Sequence, residues 1–110
     1  MARALILGLL MGCGPSPVAV CAGNHLGTFD GSDVGTLEAT LDEKGVAKVT
    51  LVGEASGTLS SEGTIEDDGT IDFGGLVTVS GRLDLESCDS SGSWAQSLAG
   101  LSGTWTMSLQ

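Results

Sequence analysis

The segment Val77-Thr78-Val79-Ser80-Gly81-Arg82-Leu83-Asp84-Leu85-Glu86 decides the fold. Val77, Val79, Gly81, Leu83 and Leu85 fall on one side of an extended chain. Thr78, Ser80, Arg82, Asp84 and Glu86 fall on the other. A period of two with one apolar and one polar row is the mark of a strand with one dry and one wet face. Strands of that kind belong to antiparallel sheets, because parallel sheets are covered on both faces.

The same period extends outward in both directions. Leu37, Ala39 and Leu41 alternate with Thr36, Glu38 and Thr40, and Ala47, Val49 and Leu51 with Lys48, Thr50 and Val52. Ile71 and Phe73 alternate with Thr70 and Asp72. Near the C-terminus Trp105, Met107 and Leu109 alternate with Thr104, Thr106 and Ser108. A tripeptide Gly-Thr-apolar recurs at 27–29, 35–37, 57–59, 63–65, 69–71 and 103–105. Gly supplies a turn or bulge, Thr an outward residue of good β-propensity, and the third residue begins the inward row. Asp42-Glu43-Lys44-Gly45 and Glu66-Asp67-Asp68-Gly69 read as tight turns closed by a left-handed Gly, and Gly74-Gly75 links another pair. These signals predict strands near 26–31, 34–41, 46–53, 57–66, 70–74, 76–86 and 101–109. Residues 91–100 depart from the pattern. Trp94, Leu98 and Leu101 stand at helical spacing, so a short helix or loop near 92–99 is expected, with an eighth strand as the remaining option. The expected architecture is an all-β, antiparallel up-and-down meander of seven or eight strands, curled or closed into a small barrel. Closure removes exposed edges.

The chain has 110 residues, 18 of them Gly, and a formal net charge of −10. Its basic residues are Arg3, Lys44, Lys48 and Arg82. That balance excludes nucleic acid as a partner, since phosphate contacts need clustered Lys and Arg. It suits a solubility role, a basic protein partner or a divalent cation.

Residues 1–12 read as a signal peptide. Arg3 gives the charged start, and 4–11, Ala-Leu-Ile-Leu-Gly-Leu-Leu-Met, is an apolar run of about 12 Å as a helix, too short for a hydrocarbon core of about 30 Å. The run ends in Leu10-Met11-Gly12-Cys13, which resembles the lipobox of bacterial lipoproteins. The resemblance implies cleavage before Cys13, diacylglycerol on its sulfur and an acylated amine, a two- or three-chain anchor to the membrane. Gly14, in the place of the Asp that retains such proteins at the inner membrane, implies sorting to the outer membrane. Residues 13–20, with Pro15 and Pro17, are expected to be a lipidated tether, and 21–110 the β-domain.

Cysteine usage follows from the same resemblance. With Cys13 taken by lipid, Cys21 and Cys88 remain as a pair, a disulfide in an oxidising compartment. Two free buried thiols are the alternative. The bridge would close a loop of about 68 residues, which the chain-entropy model values at roughly 4 kcal/mol.

No catalytic constellation is legible. A Ser/His/Asp triad would have to use His25, which is better read as an exposed residue beside the first strand. No His/Cys cluster suits zinc, and no cofactor motif appears. Glu66, Asp67, Asp68, Gly69 and Asp72 imitate a calcium loop, but Thr64 and Gly75 then occupy the two key ligand positions, so a hairpin turn is preferred. Asp30 and Asp33 also read as turn residues. Trp94 and Trp105 are either a stacking site for a sugar or flat ligand, or the two largest pieces of an aromatic-poor core; the core reading is preferred.

Residues 26–109 are similar to the Gly/Ser/Thr-rich β-meander domains of envelope lipoproteins, a resemblance that implies fold and location. A fainter likeness, to avidin-like meanders, rests on Gly27-Thr28-Phe29 and Gly35-Thr36. The functional expectation is an envelope-anchored, non-catalytic binding module. Inhibition of a basic hydrolase, such as a lysozyme or protease, is the first alternative and a structural surface lipoprotein the second. A small-molecule carrier ranks last, because the inward rows should fill a small barrel.

Overall fold

The computed structural model describes residues 16–110. The expected signal peptide, Cys13 and the first residues of the expected tether lie outside the described residues.

Eight strands follow a single 3-10 turn, Pro17–Cys21. They are β1 Gly23–Gly31, β2 Gly35–Leu41, β3 Val46–Gly53, β4 Gly57–Thr64, β5 Thr70–Phe73, β6 Val77–Leu83, β7 Asp89–Gln96 and β8 Leu101–Leu109. The sheet order is β4-β3-β2-β1-β8-β7-β6-β5. The first and last strands therefore pair, with Phe29 opposite Trp105 and His25 opposite Leu109. Every hydrogen-bonded neighbour is antiparallel. The result is an up-and-down meander curled into a nearly closed barrel, as the alternation predicts.

The two ends of the sheet, β4 and β5, meet without a hydrogen-bonded ladder. Side chains close this seam. The Phe73 ring lies over Gly63, where an added Cβ would come within 2.4 Å of it. A residue without a side chain is needed at 63 because the ring occupies the place its Cβ would take.

The inward rows form one core. Leu37, Leu51, Val77, Val79, Trp94 and Trp105 are its largest fully buried members besides Val18. Glycines face the aromatic residues across the ladder: Trp105 stands opposite Gly92 and Trp94 opposite Gly103. A Cβ on Gly92 would sit 1.8 Å from the Ser80 carbonyl oxygen. Gly therefore allows the backbones of β6 and β7 to approach and the adjacent ring to enter the interior.

Three local expectations change. Residues 89–96 are a strand, not a helix or loop, and only 97–100 form a turn, closed by Gly100 with its N–H on the Ser97 carbonyl at 3.3 Å. In β7 Ser90, Gly92, Trp94 and Gln96 point inward. With one large apolar residue among four, hydrophobic periodicity was too weak to show it. Second, the strand expected over 76–86 ends at Leu83. Asp84 stops it by accepting the Glu86 N–H at 2.8 Å, an Asx turn that competes with the ladder. Third, 16–20 belong to the folded domain rather than to a tether. Ser16 donates its N–H to the Glu43 carbonyl at 3.1 Å, and Val18 is fully buried.

The 3-10 turn thus plugs one end of the barrel. The links 42–45, 65–69 and 84–88 surround it, and the Cys21–Cys88 disulfide fastens it to the last of these. The links 32–34, 54–56, 74–76 and 97–100 form the opposite rim.

Candidate functional site

The barrel interior is occupied by side chains. An internal space bordered by His25, Ile71, Phe73, Trp105 and Met107 measures about 20 Å³. That is room for a single water molecule. Trp94 and Trp105 are each 2 % exposed, so they form core rather than a stacking platform. Their indole N–H groups are spent inside the fold. Trp94 Nε1 donates to the Asp30 carbonyl at 3.1 Å, and Trp105 Nε1 to the Ser93 carbonyl at 3.0 Å. Phe29 meets Trp94 edge to face, with ring centroids 5.1 Å apart.

His25 is not the exposed residue expected; it is 3 % exposed and points into the barrel. The period of two explains this, since His25, Gly27 and Phe29 share one face of β1. Its Nε2 lies 2.7 Å from the Cys21 carbonyl oxygen. A carbonyl only accepts, so Nε2 carries the proton and the ring serves to position the turn.

A concave surface lies outside, on the wall formed by β6, β7 and β8 and the links 65–69 and 84–88 near the plugged end. A groove of about 740 Å³ is lined by Asp68, Arg82, Asp84 and Asp89, together with Leu85 and Met107. Arg82 is its only cation. The Arg82 guanidinium stands 3.9 Å from Asp68, both well exposed, and a pair in that setting contributes little to stability. Asp68 and Asp84 are poised to stay charged. The hydroxyl and N–H of Thr70, aided by Arg82, lower the pKa of Asp68. The N–H groups of Glu86 and Ser87 lower that of Asp84. In each case a hydrogen bond to the ionised form favours it. Sequence reading missed this groove because its acids come from two separate connections, β4–β5 and β6–β7, and each looks like a turn residue alone.

The turn at 66–69 behaves as a hairpin turn. The Gly69 N–H donates to the Glu66 carbonyl at 2.8 Å, and Asp68 accepts the Thr70 N–H. Among the described residues no group of three or more His, Cys, Asp or Glu is placed to hold a metal ion. Asp33, also read as a turn residue, is a lock between two loops. Its carboxylate accepts the N–H groups of Val34, Ala55 and Ser56 and the Ser56 hydroxyl. Cys21 and Cys88 are joined as expected. Cys13 lies outside the described residues.

Comparison of the chain with protein-family models, curated proteins and solved structures finds no match.

Proposed function

We propose that this chain is an envelope lipoprotein, anchored through Cys13 and sorted to the outer membrane, whose barrel is a non-catalytic module for binding a basic partner. The acidic groove on the outer wall carries the reading. A packed interior leaves ligand recognition to the outside, and the groove there presents Asp68, Asp84 and Asp89 against one Arg. Carboxylates of this density steer a basic surface to the site more than they add affinity, so binding should weaken steeply with salt.

The test uses hen lysozyme as a basic probe protein at low salt. Asp89→Lys should weaken binding severalfold, whereas Glu54→Lys, the same charge change at the opposite rim, should leave it nearly intact. Equal losses would mean that net charge alone attracts the probe, and no binding by the parent protein would remove the reading. Lysozyme turnover measured in the same mixtures separates an inhibitor from a simple binder.

A further inference from the structure

The proposed anchor and the folded domain are separated by a known number of residues. Ser16 is fixed: its N–H is on the Glu43 carbonyl at 3.1 Å and its hydroxyl faces Asp67 Oδ1 at 3.3 Å. The turn that follows cannot swing away, because Val18 is fully buried and Cys21 is bridged to Cys88. Only Gly14 and Pro15 stand between Cys13 and Ser16. Three extended links span about 10 Å at most.

We infer that an acylated Cys13 holds the barrel end-on, with the plugged end against the bilayer and the rim of 74–76 and 97–100 turned away from it. This rests on the lipoprotein reading above. The attachment point lies at an end of the barrel and not on its wall, so a tether of that reach leaves little choice of which end approaches the lipid. Val20, on the same turn, is 68 % exposed and places an apolar side chain beside the anchor. Around it the links 42–45, 65–69 and 84–88 carry seven of the fourteen acidic residues. At a standoff near the Debye length of about 8 Å, an anionic surface repels this ring. Tilting would drive one side of the ring toward the lipid headgroups, so the repulsion favours an upright barrel. Seven strands of seven to nine residues, inclined as in small barrels, lift the far rim about 20 Å above the plugged end. Leu76 and Leu98, 70 % and 78 % exposed, are then carried away from the lipid. The acidic groove, on the lower wall, stays close to the headgroups. The partner it fits is a basic segment that lies at the membrane surface.

The full-length acylated protein, reconstituted in phosphatidylethanolamine–phosphatidylglycerol vesicles, tests the orientation. Single fluorophores are attached at Lys44→Cys or Gln110→Cys on the plugged end, and at Glu54→Cys or Ala99→Cys on the rim. Cys21 and Cys88 are joined in a disulfide and so offer no thiol to the label. Nitroxides on the lipid headgroups should quench most of the emission from positions 44 and 110 and little from 54 and 99. Equal quenching at both ends, or stronger quenching at 54 and 99, overturns the inference. Two positions at each end guard against one variant that misfolds. Failure of the anchor reading looks different: the mass of Cys13 shows no acyl chains, the protein does not float with the vesicles, and no position is quenched. That outcome also overturns the orientation.

Discussion

At the scale of single residues, two polar side chains carry opposite signs. Ser61 faces the barrel interior from β4, and its hydroxyl is buried without a hydrogen-bond partner. A buried unsatisfied hydroxyl costs about 1–3 kcal/mol, and removing it creates little void because Ser and Ala differ by one atom. Ser61→Ala should therefore leave stability unchanged or raise it by about 1 kcal/mol, read as the midpoint of urea unfolding. A clear loss would show that the hydroxyl has a partner. Asp33 is the reverse case. Hydrogen bonds from Ser56, first its hydroxyl and then its N–H, bring the Asp33 carboxyl down to about 2. Its folded-state value thus lies below the unfolded reference of about 3.9. Stability from this lock is complete above that reference and is lost as pH falls through about 2. Asp33→Asn should be less stable than the parent at neutral pH and should lose less on acidification from pH 4 to pH 2. Parallel acid profiles for the two proteins would show that other carboxylates set the acid limit.

At the scale of elements, close approach between strands is as important as the apolar rows. Gly92 lets β6 and β7 come together where Trp105 fills the interior. Gly92→Ala would place a methyl group against the Ser80 carbonyl and should destabilise by at least about 1–3 kcal/mol. Thermal unfolding followed by tryptophan emission checks this, since both indoles are buried in the affected region. An unshifted midpoint would mean that the ladder opens there at no cost. The same glycines explain what the chain made legible. β2, β3, β6 and β8 announced themselves through pairs or triplets of large inward residues at period two. β7 did not, because Ser90 and Gly92 take inward places that elsewhere hold Leu or Val. The helical spacing of Trp94, Leu98 and Leu101 was coincidental, as the three residues belong to a strand, a turn and the next strand. The site was less legible than the fold. Groove acids 84 and 89 flank one hairpin link and 68 lies in the link before β5; they meet because successive hairpins set β5, β6 and β7 side by side, and no local pattern marks which turn acids share a groove. His25 obeyed the alternation of β1, yet a polar type in an inward place was easier to read as exposed.

At the scale of the whole molecule, the disulfide and the plug act as one closure. The Cys21–Cys88 bridge spans a sequence separation of 67, and the loop it closes contains β1 to β6. It also fixes the 3-10 turn that buries Val18 beneath the core and receives the His25 hydrogen bond. The entropic part of such a bridge is about 4 kcal/mol, against a total of about 5–15 kcal/mol for a domain of this size. Replacement by Cys21→Ala with Cys88→Ala should thus remove about a quarter or more of the stability, and the loss should be cooperative because the sheet, open between β4 and β5, has no ladder that closes it fully. Two measurements separate the bridge from the plug. Val18→Ala keeps the bridge and should cost about 2 kcal/mol or less, the scale of a truncated buried aliphatic group. The double Cys variant should cost distinctly more, and adding Val18→Ala to it should cost little further, because a turn freed from Cys88 no longer holds Val18 against the core. Full additivity of the two changes in urea unfolding would show instead that the turn stays docked by packing alone, and that the bridge acts only on the unfolded chain.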